Sequence, residues 1–316
     1  MSAPFTVITT MKNEGAFLLE WVAHHKALGF DQILICTNDC SDHTRRMVFR
    51  LEAMGLARHH ATRAWAATSI QRSALKQAQR YDIVRDAGWI YVCDADEFLV
   101  VKFGDGSVQD LIAAGAGAEV ISVPWRIFGP DGRTRYEDRP VTRQFTRGRA
   151  QDLQAAYGKS IFRGDLPLAR IGIHLPVPHA NLGRAVRRQE AGGQAYRPQH
   201  HPMFVTADYT YAQINHYALR SAESFLVKRD RGRVNHVGQD MGLDYWQRFD
   251  VSQVPCDAIR RYDPAVQGWL DRLMADPDLA FMHAKSVAWH RARAEALKTT
   301  PGYGDLWAAV GQRQLA

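Results

Sequence analysis

The chain has no apolar run near the roughly 20 residues that a membrane-crossing helix needs. Met1–Thr10 also lacks the charged start and apolar middle of a secretory signal, so a soluble, cytoplasmic protein is expected. Cysteine is scarce: Cys36, Cys40, Cys93 and Cys256 are the four in 316 residues. They are too few and too scattered for a disulfide framework, and Cys36-x-x-x-Cys40 lacks the second pair of a zinc site. No internal repeat or low-complexity tract is present, which argues against a repeat array. Motifs for nucleic acid are missing too. The net charge of +7, carried mainly by arginine, favours anionic partners: phosphates, nucleotides, nucleic acid or an anionic membrane surface. Apart from Arg184, Arg187 and Arg188, however, the basic residues are spread along the chain, which disfavours a primary nucleic-acid role.

What is present is ordinary globular composition, 46% hydrophobic and 23% charged, enough for one large domain or two small ones. The most informative stretch is Trp89–Leu99. Its uncharged start, rich in aromatic and β-branched residues, reads as a strand buried on both faces, and it runs into three carboxylates, Asp94, Asp96 and Glu97. If the backbone stays extended, Asp94 and Asp96 point the same way and Ala95 points away. Two converging anions suit a hard divalent cation, Mg²⁺ or Mn²⁺, which in turn can hold a diphosphate. The plain alternative is a solvated acidic turn at the end of a buried strand.

Around that stretch the chain alternates. A strand over 5–10 and a polar turn precede a helix with Phe17, Leu18, Trp21, Val22, His25 and Leu28 at helical spacing, closed by Gly29. A strand over 32–37 breaks at Asn38-Asp39-Cys40-Ser41-Asp42, where Ser41 or Asp42 can cap a helix ending at Gly55. A poorer strand over 57–61 and a helix over 69–85 lead to Trp89. Four such alternations predict an α/β fold with a mostly parallel sheet flanked by helices, in which ligands bind beyond the carboxyl ends of the strands. Later segments are mixed. Strands are expected over 119–125, 159–163, 171–174 and 209–217, a loop or flap over 133–154, and a mobile surface excursion over 183–202. A helix capped by Ser221 follows, and from about Asp240 the chain reads as helical.

Met11-Lys12-Asn13-Glu14, Asn38-Asp39-Cys40-Ser41-Asp42 and Asp94-Ala95-Asp96-Glu97-Phe98, each at a strand end, resemble the nucleotide-sugar half of a GT-A glycosyltransferase, similar in particular to a bacterial family 2-like and family 92-like group. Lys159-Ser160-Ile161-Phe162-Arg163 with His174, and Ile214-Asn215-His216-Tyr217 with Ser221, Glu223, Phe225, Lys228 and Gly232, extend the resemblance. It covers about residues 5–232, implying a GT-A domain over 1–232 and a mainly helical C-terminal extension over 233–316.

The resemblance implies a metal-dependent hexosyltransferase-class enzyme that moves a sugar from a nucleotide-sugar, with a UDP-sugar as leading donor, to a glycan or other hydroxyl acceptor, as in surface-polysaccharide assembly. Asp94 and Asp96 would bind Mn²⁺ or Mg²⁺, with His216 as a further metal or diphosphate contact. Thr9, Asn13, Glu14, Asn38 and Asp39 become nucleotide contacts. Gln71 and Arg72, at the amino end of the helix before the acidic strand, and Lys159 and Lys228 become donor contacts, with Arg163 a further cation near the phosphates. Glu97 joins Asp94 and Asp96 as a catalytic candidate that braces the site or touches the sugar. Local readings stand beside these: turn formation and capping for Asn38, Asp39 and Ser41, core packing for His174 and His216, surface solvation for the cations. An inverting reaction needs a carboxylate base, for which Asp131, Glu137, Asp138 and Asp152 in the expected flap are equal candidates. The competing readings are an inactive nucleotide-sugar-binding protein of the same fold and a nucleotidyltransferase.

Overall fold

The computed structural model describes residues 3–63, 68–232 and 241–313. Strand β1 (Phe5–Met11) is followed by α1 (Leu18–Ala27), β2 (Gln32–Thr37), α2 (Thr44–Ala53), β3 (Arg58–Ala61), α3 (Ile70–Ala78), the single turn α4 (Asp82–Arg85) and β4 (Trp89–Val92). Then come β5 (Glu97–Val101), α5 (Val108–Ala114), β6 (Val120–Ile127), α6 (Val141–Gln144), β7 (Arg147–Gly148), β8 (Ala155–Arg163), β9 (Leu168–Arg170), β10 (Val177–Pro178), β11 (Arg188–Glu190), β12 (Phe204–Thr206) and β13 (Ala212–His216). The chain continues through α7 (Ala222–Arg231), α8 (Leu243–Phe249), β14 (Val254–Pro255), α9 (Asp263–Met274), α10 (Pro277–Lys298) and α11 (Tyr303–Arg313).

The main sheet runs β3-β2-β1-β4-β8-β6-β13-β5. Its first four strands are parallel; β8 is antiparallel to both β4 and β6, β13 is parallel to β6, and β5 is antiparallel to β13. The central strands are buried on both faces and rich in apolar and β-branched residues, whereas the edge strand β3, Arg58–Ala61, is polar and partly exposed. Val7, Ile33, Ile35 and Tyr91 share one core with Leu18 of α1 and Met47 of α2. Their neighbours Ile8, Leu34, Cys36, Ile90 and Val92 share another with Ala74, Leu75 and Ala78 of α3. Burying each large apolar side chain stabilises the sheet by roughly 2 kcal/mol.

Several local expectations are corrected. The strand at Trp89 stops at Val92; Ala95 and Asp96 form a turn closed by Glu97 N–H donating to the Asp94 carbonyl (3.1 Å), and the chain re-enters the sheet as β5 at its far edge. The helix expected over 69–85 is split into α3, capped by Ser69, and α4. Residues 171–174 form no strand. The segment 183–202 is not a loose excursion, because β11 adds to the sheet beside β6 and Arg184 makes a two-pronged ion pair with buried Glu119 (2.5 and 2.7 Å). The expected flap is docked as well: the buried Glu20 carboxylate of α1 accepts from Val141 N–H, Thr142 N–H and the Thr142 hydroxyl (2.6, 2.9 and 2.8 Å). These bonds satisfy orphan donors of a helix's first turn that would otherwise be buried without partners.

Residues 233–240, where the C-terminal extension was expected to begin, lie outside the described residues. Beyond them, α9 packs on α1, and α10 packs on α2 and α7, tied by the Arg50 to Asp276 ion pair (2.6 Å) at the α10 amino end. Among the described residues no helix is long and apolar enough to cross a membrane.

Candidate active site

The tips of β1 and β4, the amino end of α3, β13, α7 and α8 surround a cavity of about 450 Å³. The acidic turn lies on its floor. Asp94 is held from two sides, with Gln71 Nε2 donating to Oδ1 (2.6 Å) and Lys159 Nζ to Oδ2 (3.1 Å), and Trp21 donates its indole N–H to the Asp94 carbonyl (3.2 Å). Asp96 accepts from Lys228 Nζ at Oδ2 (2.6 Å), while Oδ1 stands 3.8 Å from His216 Nε2. Both carboxylates therefore face one cavity, but a turn brings them there rather than strand alternation. Burial alone would raise the Asp96 pKa; the Lys228 ammonium, helped by His216 and Arg220, overcomes this and holds it well below the usual carboxylate range.

Glu97 is 0% exposed and does not line the cavity. Its Oε2 accepts from the Asp94 N–H (3.0 Å) and lies 3.6 Å from Lys159 Nζ. Burial, and then the neighbouring Asp94 and Asp96 against Lys159, push its pKa well above the usual range. Glu97 braces the turn, so its candidacy as a residue that touches substrate is withdrawn. Lys159, fully buried beneath the turn, does not line the cavity either; burial would lower its pKa, and Asp94 and Glu97 reverse that.

At the β1 tip, Glu14 lines the cavity under two guanidinium groups. Arg220 Nη1 donates to Oε2 (2.8 Å) and Arg231 Nη1 to Oε1, so that despite full burial the Glu14 pKa is lowered. Arg220 sits at φ +56°, an uncommon conformation for a long side chain. It is held there by Glu14, by the Ala95 carbonyl (3.1 Å) and by stacking 3.7 Å over the Phe17 ring.

The other expected nucleotide contacts divide. Thr10 lines the cavity and Thr9 does not, because alternate residues of β1 face opposite sides and Thr10 shares the α3 side with Ile8. Asn13 is spent locally, donating to Ser41 Oγ (3.0 Å) and accepting from Ser41 N–H (2.8 Å) at φ +54°. Asp39 and Arg72 are exposed and off the cavity. Asn38 is buried with both ends of its amide unpartnered, as are Thr10 Oγ1, Gln71 Oε1 and His216 Nδ1. Buried polar atoms without partners are costly, so those of Thr10, Gln71 and His216, which line the cavity, are suited to a ligand's polar groups, whereas Asn38 lies off it. Arg163 is paired with Asp165 away from the cavity. The four candidate bases lie elsewhere: Asp131 beside Arg147, Glu137 between Arg133 and Arg139, Asp138 on His283, Asp152 on Arg149.

Sequence reasoning missed Arg220 and Arg231, although Arg231 follows Lys228 by three residues in α7, spacing that puts both on one helix face. It also missed Trp125 and Tyr157, and Tyr245, Arg248 and Phe249 of α8, which close the cavity's far side.

Among the described residues no group of three or more His, Cys, Asp or Glu side chains is arranged to hold a metal. Asp94 has both oxygens occupied. Asp96 Oδ1 and His216 Nε2, however, are too far apart to hydrogen-bond, and their gap is that of two ligands sharing one ion, about 3 to 4 Å. As a carboxylate oxygen and an imidazole nitrogen on one cavity, these two would be the chain's own ligands to a divalent cation, with phosphate and water needed to complete its shell.

A half-parallel α/β sheet with an acidic turn after its fourth strand and basic side chains closing over it is the arrangement of the GT-A class. Residues 7–218 match glycosyltransferase family 92, and the chain belongs to that family. A glycosyltransferase family 92 protein of Oryza sativa subsp. japonica is 26% identical over 144 residues, which are 44% of this chain and 24% of the Oryza protein. The match thus spans about a quarter of that relative's length. Among solved structures, S. aureus TarS 1-349 in complex with UDP is similar over 93% of this chain and 90% of its own, at 14% identity and a TM-score of 0.37. Glucosyl-3-phosphoglycerate synthase from Mycobacterium tuberculosis, in complex with Mn²⁺, UDP-glucose and phosphoglyceric acid, is similar over 40% of this chain and 44% of its own, at 16% identity and a TM-score of 0.28.

Proposed function

We propose that this chain transfers a sugar from a nucleotide-sugar, with a UDP-sugar as leading donor, to an acceptor hydroxyl, and that it does so with a divalent cation, Mn²⁺ or Mg²⁺. The observation that carries the reading is the Asp96 and His216 pair, opening on the same cavity as Lys228 and Arg231. Asp96 and His216 would hold the cation, which when bound offsets charge on a departing diphosphate as a Lewis acid. Lys228 and Arg231 add fixed positive charge on the same side. Asp94, clamped by Gln71 and Lys159, orients Gln71 across the cavity floor, and the unpartnered Thr10 and Gln71 groups suit a nucleoside.

A panel of nucleotide-sugars with Mn²⁺, read by nucleoside diphosphate release, tests the reading in the native chain and in Asp96→Asn. Release by the native chain and its loss in the variant support it; equal release from both removes Asp96 from the site. A binding protein would retain nucleotide without turnover, and a nucleotidyltransferase would release pyrophosphate from a nucleoside triphosphate. Cytoplasmic location and a peripheral contact with an anionic membrane surface also belong to this reading, with Arg45, Arg46 and Phe49 as the exposed patch on α2. Cell fractionation and sedimentation with anionic vesicles check them.

A further inference from the structure

We propose that His174 is the base that takes the proton from the attacking hydroxyl, an inference that rests on the transferase reading above. A carboxylate was expected in this role, yet none on the cavity is free to act. Glu14 carries two guanidinium groups, Asp96 carries Lys228 on Oδ2 and would meet the cation with Oδ1, and both Asp94 oxygens accept hydrogen bonds.

His174 lines the same cavity. Its Nδ1 lies 2.8 Å from the Gly158 carbonyl oxygen, which can only accept, so the proton sits on Nδ1 and Nε2 keeps its lone pair. Nε2 has no hydrogen-bond partner among the described residues. The ring is seated against Trp125 and Tyr157, with centroids 5.3 and 6.1 Å away, which fixes its plane. The carbonyl that selects the tautomer is itself rigid: Gly158 belongs to β8, and a Cβ there would meet the Val123 carbonyl oxygen at 2.6 Å. Burial, reinforced by the Lys159 ammonium, pushes the imidazole pKa down. The ring is therefore neutral at pH 7, able to accept a proton. Trp125 also packs at a tilt against His216, with ring centroids 4.3 Å apart, so one indole separates the base from the residue that would hold the cation.

The step balances without an oxidant or reductant. The hydroxyl O–H bond breaks and its proton goes to Nε2. The oxygen's electron pair forms the bond to the anomeric carbon, and the carbon–oxygen bond to the diphosphate breaks, its electron pair leaving with the nucleoside diphosphate. Water in place of the acceptor follows the same course, so donor hydrolysis reports on the base before the acceptor is known.

The test uses the full chain, with His174→Gln and His174→Ala, UDP release from a UDP-sugar panel with Mn²⁺, and UDP affinity by calorimetry. Loss of a general base lowers kcat by about 100-fold or more, with UDP affinity held within about threefold. Added imidazole should restore the His174→Ala rate, and the restored rate should climb as pH rises through the pKa of free imidazolium, above which imidazole is neutral. A structural role would not respond to imidazole. Turnover of both variants at the native rate overturns the assignment, as does a rate loss matched by lost UDP affinity and unmoved by imidazole. A native chain that neither binds UDP nor releases it overturns the transferase reading, and the base with it.

Discussion

The Lys228 ammonium donates to Asp96 Oδ2 and to the Ala218 carbonyl, each at 2.6 Å, so it ties the acidic turn to the connection between β13 and α7 as well as neutralising it. Replacing it by methionine leaves a buried carboxylate with its main countercharge gone. Breaking a buried pair from one side is expensive, so Lys228→Met should lower folding stability by roughly 3 kcal/mol, read by urea denaturation at pH 7. An unchanged midpoint would mean that Asp96 is hydrated rather than paired.

Against the opposite pull of the raised Glu97, the depressed pKa values of Asp96 and Glu14 weaken the fold in acid. Both carboxylates are harder to protonate in the folded chain than in the unfolded one. Their contribution is therefore complete above the unfolded value, about 4, and is lost as pH falls through the lower folded values. Urea melts from pH 6 to pH 2 should show stability dropping below about pH 4, and Lys228→Met should flatten part of that slope.

Glu20 supports the 133–146 segment by three hydrogen bonds from residues 141 and 142. Glu20→Ala strands those donors and should cost about 3 kcal/mol, whereas Glu20→Gln, which keeps an acceptor, should cost about 1 kcal/mol. Amide exchange at Val141 and Thr142 should speed up in the alanine variant first. Equal melting of both variants would argue that water replaces the carboxylate.

Cation removal gives a binding test that needs no turnover. With Mn²⁺ present, UDP should bind the native chain about tenfold or more tighter than after chelation, since an anionic diphosphate gains a direct metal contact. Asp96→Asn and His216→Ala should each erase most of that difference in calorimetry. The same affinity with and without chelator would take the cation out of the proposed site.

The sheet was legible where burial on both faces imposes a local signature. β-Type runs such as Thr6–Thr10, Ile33–Thr37 and Trp89–Val92 ending in polar clusters marked their own tips, and Gly29, at φ +93°, marked the end of α1 as a glycine stop should. Legibility failed where a polar residue is stabilised by something distant. Arg188–Glu190 carries no strand pattern, yet pairs with β6 at the sheet. Glu20 looks like a solvent-facing helix residue until its three donors arrive from over a hundred positions away. The site itself was half legible. Asp94, Asp96, His216 and Lys228 were placed by their motifs, but the turn at Asp94 and the choice of Thr10 over Thr9 depend on where β4 stops and which way β1 is rolled. Nothing local ties α8 to a cavity.

Glu14 and Arg220 are 206 positions apart. While the chain is being synthesised, its first strand tip must wait for α7 to emerge before the carboxylate finds a countercharge, so the N-terminal half is a scaffold without its keystone. A chain ended at residue 215 should retain helical signal yet lose cooperative melting, because long-range closure comes last and carries a buried charge with it. A sharp, native-like transition from that fragment would show that the sheet stands without α7.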